Sequence, residues 1–278
     1  RRAVIHSKKF LVQILATIGC SALIFLICNL SVTDENKKEA DDWLTLHREA
    51  IKNDNTEFAE KLVKVGIANK FSHAYYALAW QLTPTDRRTG NWHATVRALR
   101  DAARLEHPDA QYRLAIAYQQ GIGIAQDVRS YLYWIKKAAN NNHRKAQGDL
   151  ADHLFDESST IASDHTDAIY WYNRAADNGD ISSMRALGLI FIDEDFGLSD
   201  PKIALRWFFE AAGKGDAESQ FWMGVAWVQG IGPLDADLDK GISWWKKAAD
   251  QDYEQALVML GRLANMELID SNSNDLSF

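Results

Sequence analysis

The side chains that could catalyse a reaction are scattered along this chain. None of its eight histidines stands in an HExxH or HxH pair, the spacings that zinc sites use. Asp149 and His153 lie four positions apart, as an acid–base pair on one helix would, but the same spacing suits an ordinary surface pair, which we favour. Neither a G-x-S-x-G nucleophile turn nor a phosphate-binding P-loop occurs. The sequence therefore predicts no catalytic residue and no enzyme.

Two acidic clusters could supply oxygen ligands to a divalent cation. Asp156-Glu157 and Asp193-Glu194-Asp195 lack the alternating ligands and central glycine of a calcium loop, so we interpret both as solvated loops. The chain has only two cysteines, Cys20 and Cys28, and both lie in an apolar stretch near its start. The rest has neither a thiol nucleophile nor a thiolate ligand. We expect no metal and no cofactor.

The distribution of charge limits the class of partner. Four basic residues precede Asp34, and the remainder holds 27 basic against 38 acidic residues, a balance of −11. Nucleic acids and anionic lipids require clustered Lys and Arg, so neither is an expected ligand of this part. A protein with a basic surface is the easier partner. Oligomeric state is not predicted.

Residues 10–30 form an uncharged apolar segment. As a helix, its 21 residues rise roughly 30 Å, about the thickness of the hydrocarbon core of a bilayer. Basic residues precede it, so the positive-inside rule places residues 1–9 in the cytoplasm and everything after Ser31 on the opposite side of the membrane; for a bacterial inner membrane, that side is the periplasm. A cleaved signal peptide is the alternative, but the apolar run is long for one. A lipoprotein attached at Cys20 is another, although Thr17 is a poor start for its recognition box.

A ten-residue block that contains two adjacent alanines recurs four times. Its leading tryptophans lie 37, 36 and 37 residues apart. Such a period indicates stacked supersecondary units, each too small to bury its own apolar face. Periodic aromatic residues are expected to lie in the core between units. The blocks read WIKKAANNNH, WYNRAADNGD, WFFEAAGKGD and WWKKAADQDY, and they begin at Trp134, Trp171, Trp207 and Trp244.

A second register lies upstream of each block and predicts a first helix paired with it. Here a large apolar residue precedes a small one that permits close helix approach: Leu114-Ala115, Leu150-Ala151, Leu187-Gly188, Met223-Gly224 and Leu260-Gly261. An aspartate just before the second helix is expected to cap its N-terminus; these aspartates are Asp127, Asp164, Asp200 and Asp237. Gly121-x-Gly123 and Gly230-x-Gly232 mark turns that need a positive φ.

These registers resemble the Sel-one-like repeat (SLR) family, a relative of tetratricopeptide repeats. The agreement is best over residues 110–142, which carry an alanine–leucine–tyrosine first helix, a G-x-G turn, an aspartate cap and W-x2-K-A-A. It covers about 70–268 well and 40–70 weakly. It departs at Glu157/Ser159 and Glu194/Phe196, which replace the turn glycines. The resemblance implies an all-α fold, a right-handed α/α superhelix of SLR helix pairs. The apolar segment 10–30 predicts one transmembrane helix before it.

The predicted organisation follows from these boundaries. The chain divides into a basic N-terminus (1–9), a transmembrane anchor (10–30), a linker (31–39), an SLR solenoid (40–268) and a flexible tail (269–278). The unit at 74–106 carries a divergent insertion, Thr83 to His93. The solenoid units are 40–70, 74–106, 107–143, 144–179, 180–215 and 216–252, with a capping helix at 253–268.

In such superhelices, the resemblance implies, the first helices form the concave face that binds proteins. Aromatic residues and arginine carry most interface energy. Some positions of the first helices hold a different residue type in each unit, although the two registers repeat. Aromatic residues and arginines at these positions predict a stripe of residues that contacts the partner. Its alternative is that the aromatic side chains pack against the next helix. The stripe consists of Tyr76, Tyr112, Arg113, Arg185, Phe221 and Trp222.

Three functions remain open at this stage. The first is a membrane-anchored periplasmic scaffold, for which we favour an immunity or adaptor protein that sequesters a partner such as a secreted lipase-type toxin. The second is an assembly or regulatory scaffold in an envelope complex. The third is a secreted SLR enzyme acting on β-lactams, which resembles this chain poorly because those proteins are rich in cysteine.

Overall fold

The fold is entirely helical in the part of the chain that the computed structural model describes, residues 35–83, 92–158, 165–194 and 198–274. Thirteen helices and no strand occur in these ranges, which confirms the all-α class. The helices are α1 (Glu35–Lys52), α2 (Thr56–Ala68), α3 (Ser72–Gln81), α4 (His93–Arg104), α5 (Pro108–Gln120), α6 (Val128–Asn140), α7 (Arg144–Ser158), α8 (Thr166–Asp177), α9 (Ile181–Ile192), α10 (Pro201–Gly213), α11 (Ala217–Gln229), α12 (Leu238–Ala249) and α13 (Glu254–Asn274).

The helices alternate as the two registers predict. The odd-numbered helices α1 to α11 are the first helices of six pairs, and α13 stands alone after them. The chain divides into two compact units, residues 1–134 and 135–278, with the boundary inside α6. Within the second unit, α9 packs on α10, α10 on α11 and α11 on α12, while the first helices α9 and α11 also meet. The handedness of a superhelix stays a prediction.

The ends of the helical array differ from the predicted boundaries. The first helix begins at Glu35, inside the segment assigned to a linker, and α13 continues to Asn274, inside the segment assigned to a tail. No helix among the described residues has the length and hydropathy needed to span a bilayer. The anchor predicted at 10–30, the basic residues 1–9 and Cys20 lie outside the described residues.

Two apolar clusters lie among the described residues of the first unit, 35–83 and 92–134. One surrounds Trp43 of α1, whose indole Nε1 donates a hydrogen bond to the Leu62 carbonyl at 2.7 Å, with Phe71 and Ala74 beside it. The other joins α4 to α5 through Leu99, Leu114 and several alanines. Small residues let these helices approach closely, and burial of the apolar faces provides the stabilisation.

The core position of each second helix is the residue after the periodic tryptophan. The exposed fraction there is 0% for Ile135, 5% for Tyr172, 1% for Phe208 and 5% for Trp245. Of the tryptophans themselves, Trp171 (8%) and Trp207 (4%) are buried, whereas Trp134 and Trp244 are only half-buried. The prediction that all four lie in the core is therefore wrong for two. The tryptophan register lies at the edge of the helix contact, where the cations of Arg206 and Lys247 lie 4.7 and 3.9 Å from the ring centres of Trp207 and Trp244.

Hydrogen bonds confirm three of the predicted aspartate caps. The Asp200 carboxylate accepts from the Lys202 and Ile203 amides at 3.0 and 3.2 Å. Asp127 and Asp237 accept in the same way from the first turns of α6 and α12. Asp164 lies outside the described residues. The turn glycines have the expected positive φ, from 62° to 70°, and α7, which has no such glycine, continues through Glu157 to Ser158.

A second set of caps, at the first helices, was not predicted. Each ten-residue block ends at the N-cap of the next first helix. Asp180 and Asp216 accept from the Ser183 and Ser219 amides, and His143 Nδ1 accepts from the Ala146 amide. Three buried glutamines then donate to carbonyls at the end of the preceding second helix, which secures one pair to the next: Gln111 to Ala103, Gln147 to Ala139 and Gln220 to Ala212.

Candidate functional site

In the first unit, two members of the predicted stripe meet on α3 and α5. The Arg113 guanidinium lies 4.1 Å from the centre of the Trp80 ring, and its Nε donates a hydrogen bond to the Tyr76 hydroxyl at 2.9 Å. Trp80 is 53% exposed, and Tyr76 stacks on the buried His107 ring at 4.4 Å. Tyr112 is half-buried on the same helix as Arg113. These residues form a cationic aromatic surface, of which the sequence missed Trp80.

In the second unit, Arg185 is committed to an ion-pair network. Its Nη1 lies 2.7 Å from Asp216 Oδ1, and its Nε lies 3.2 Å from Glu218 Oε2. Two carboxylates thus face one guanidinium, which leaves the trio with a formal charge of −1. The predicted role of Arg185 as a contact residue stays a prediction, but the structure gives it a second role as a link between α9 and α11.

The remaining two predicted residues line a cavity of about 670 Å³, which we call the α11 pocket. Phe221 is 9% exposed and forms its floor with Trp245, whose ring lies 6.4 Å away. Trp222 stacks on Phe208 at 5.8 Å, so it both packs between helices and borders the cavity. The other lining residues are Ile192, Glu194, Ser199, Pro201, Val225, Val228, Gln229, Ile231 and Met259.

The chemistry of the α11 pocket is that of a binding site. Its walls are mainly aliphatic and aromatic, and among the described residues that line it Glu194 is the one that carries a charge. A volume of several hundred Å³ is typical of ligand pockets. No group of histidines, cysteines or carboxylates that could hold a metal ion is found among the described residues. Such a cavity can bury an apolar group from a partner.

Asp149 and His153 are both half-buried on α7. The sequence assigned them to an exposed surface pair, so their enclosure is greater than expected. Nearby, the Tyr172 hydroxyl donates to Asp152 at 2.8 Å, and burial raises the pKa of the Tyr172 phenol. This contact joins α7 to α8 and is structural.

Two histidines of the first unit carry lowered pKa values. His47 stacks on Trp43 at 5.0 Å, and burial lowers its pKa. Burial also lowers the pKa of His73, and the Arg48 charge adds to that effect while Asp41 and Asp109 oppose it. Both imidazoles are therefore kept neutral in the folded state at pH values where the unfolded chain begins to bind protons.

We expect acid to destabilise the first unit. The folded pKa values lie below the unfolded value of about 6.5, so this stabilisation is complete above that pH and is lost as pH falls through the folded values. The free energy of unfolding, measured by urea denaturation at intervals between about pH 7.5 and pH 5, should fall less steeply in a His47→Gln/His73→Gln variant. His93→Gln, at an exposed histidine of the same unit, is the control. Equal slopes in all three proteins would contradict the assignment.

Comparison with known proteins agrees with this architecture. A family model of the Sel1 repeat matches residues 108–143, 144–180, 181–216 and 217–253. Among solved structures, a Sel1 repeat protein from Oxalobacter formigenes is 26% identical with a TM-score of 0.62, over 78% of this chain and 85% of that one. A protective antigen of uropathogenic Escherichia coli that displays an SLR fold is also 26% identical, with a TM-score of 0.59, over 74% of this chain and 44% of that one.

Other likenesses are weaker. An immunity protein from Pseudomonas aeruginosa is 19% identical with a TM-score of 0.40, over 66% of this chain and 67% of that one. No curated protein matches the chain. The four matched Sel1 segments are consecutive and together cover more than half of the 278 residues. The chain belongs to the Sel1 repeat family.

Proposed function

We propose that this protein is an interaction scaffold of a bacterial envelope that sequesters one specific protein partner. Sel1 repeats mediate protein–protein interaction, and four of them make up the matched part of the chain. The observation that carries the proposal is the α11 pocket, because it presents aromatic and aliphatic side chains along one side of a first helix. Apolar surface left in contact with water costs about 25 cal/mol per Å², and a bound partner recovers that cost.

Within this class we propose an immunity or adaptor protein, which would hold a secreted lipase-type toxin inactive. Sequestration requires a complementary surface and no reaction by the scaffold itself. The acidic balance of the chain favours a partner with a basic surface, because complementary charge accelerates encounter and excludes wrong partners. Anchorage by residues 10–30 in the inner membrane, with the repeats in the periplasm, belongs to the same proposal.

Photo-crosslinking in the native cell tests this function. A photoreactive amino acid at Gln229, an exposed residue of the α11 pocket, should capture one main protein. The same amino acid at Glu210, an exposed residue of α10, is the matched control and should not capture it. The captured protein, once purified, should form a one-to-one complex with this chain and lose its own activity in that complex. Identical adducts from both positions, or a partner that stays fully active when bound, would overturn the proposal.

A further inference from the structure

The shape of the α11 pocket restricts the group that can fill it. Phe221, Trp222, Val225 and Val228 lie on one side of α11, at the spacing of a helical face, and Met259 of α13 also lines the cavity. A cavity of about 670 Å³ is larger than any single amino-acid side chain needs. Its lining offers aromatic rings and methyl groups, so the best occupant is a bulky apolar side chain, or two neighbouring ones.

The charges near the pocket are negative at two places. Glu194, an exposed residue after α9, is the charged group in the lining itself. Phe221 also contacts the Tyr253 ring at 5.5 Å. Burial is the largest cause that raises the pKa of the Tyr253 phenol; the Glu218 and Asp216 carboxylates also raise it, and the Arg185 charge opposes them. Because Arg185 faces two carboxylates, it offers no uncompensated positive charge to a ligand. A carboxylate on the ligand would therefore be repelled.

We infer that the α11 pocket takes a short segment of the protein partner in which a bulky apolar side chain is followed or preceded by Lys or Arg. The apolar side chain enters between Trp222 and Met259, and the cation pairs with Glu194. This inference rests on the proposed function and adds the chemistry of the partner. A second copy of this chain is a poorer occupant, because its formal charge of −7 would be brought against itself.

Designed peptides provide the probe, with the purified full chain as the receptor. One short fluorescent peptide carries a Phe-Leu pair between lysines, a second carries the same pair between glutamates, and a third has serines in place of Phe-Leu between lysines. Fluorescence anisotropy should show that the first binds at least tenfold more tightly than either of the others, a difference of about 1.4 kcal/mol.

Two variants separate charge from shape. Glu194→Lys reverses the charge that Glu194 brings to the lining and should exchange the order of the lysine and glutamate peptides. Glu60→Lys, at an exposed position on α2, makes the same change in net charge and should leave the order unchanged. Val225→Trp fills the cavity with an apolar group and should weaken the lysine peptide at least tenfold. Circular dichroism and the melting temperature of each variant establish that it is folded.

Every other result overturns the inference. Equal binding of the lysine and glutamate peptides, or an order that survives Glu194→Lys, would show that Glu194 does not select a cation. Undiminished binding to Val225→Trp would place the peptide elsewhere. A full chain that dimerises, and becomes monomeric on Val225→Trp, would make a second copy the occupant. The crosslinked partner at Gln229 tests the proposed function separately, so it can persist when the peptide results fail.

Discussion

Replacing Gly224 with alanine is expected to destabilise the protein relative to the same change at Gly261. A Cβ atom at Gly224 would collide with the Trp245 indole and would lie 3.0 Å from the Gly241 carbonyl oxygen. Extra volume in a packed interface costs about 1–3 kcal/mol. Alanine also gains up to about 1 kcal/mol in helix propensity over glycine. Gly224→Ala should therefore unfold with a free energy about 1–3 kcal/mol below that of Gly261→Ala in urea denaturation followed by circular dichroism.

Gly261 is a matched control because it occupies the same register on α13. No second helix follows α13 within the described residues, and a Cβ atom at Gly261 would meet nothing within 4 Å. Its alanine variant should be as stable as the parent or more stable, since only the propensity gain applies. Gly188→Ala should behave like Gly224→Ala, because its Cβ would lie 2.5 Å from the Phe208 ring. Equal stability of the three variants would show that these glycines do not set the helix spacing.

The sequence predicted the small residues of the first helices, but it missed the large residues of the second helices that pack against them. Small residues at one fixed position imply close helix approach, and Gly188 and Gly224 confirm it. Only two of the repeated tryptophans are buried, whereas the following residue of the second helix, such as Phe208 or Trp245, is buried in all four units. That residue differs in every unit, from isoleucine to tryptophan, so it shows no identity from repeat to repeat. In two of the units a glycine makes room for the large side chain: Gly188 opposes Phe208, and Gly224 opposes Trp245.

The candidate site was less predictable than the fold. Residue type and register placed Phe221 and Trp222 on a first helix, and both line the α11 pocket. Its other main components, Trp245, Met259 and Glu194, come from separate elements, and only the packing of those elements brings them together. The ion pairs of Arg185 were not predicted. Its partners Asp216 and Glu218 are remote in sequence, and no repeat pattern indicated that they would neutralise its charge. Local sequence therefore identifies the face, and tertiary structure determines which side chains remain available on it.

Removal of the Asp216 side chain is expected to cause a large loss of stability as well. The Asp216 carboxylate accepts from the Ser219 amide at 2.9 Å, from the Ser219 hydroxyl at 2.7 Å and from Arg185 Nη1 at 2.7 Å. The Ser219 side chain is fully buried, so its hydroxyl would lose an acceptor that water cannot readily replace. Loss of the helix cap and of these bonds should lower the free energy of unfolding by about 2–3 kcal/mol in Asp216→Ala.

Two further variants separate the cap from the ion pair. Asp180 caps α9 through the Ser183 amide and hydroxyl in the same way, at 2.9 and 2.8 Å, and no arginine pairs with it among the described residues. Asp180→Ala should therefore cost about 1–2 kcal/mol. Asp216→Asn keeps a good capping acceptor and leaves Arg185 its bond to Glu218, so its cost should stay below about 1 kcal/mol, as for partly exposed ion pairs. If Asp216→Asn were as damaging as Asp216→Ala, the charge on Arg185 would outweigh the cap, and the link between α9 and α11 would be mainly electrostatic.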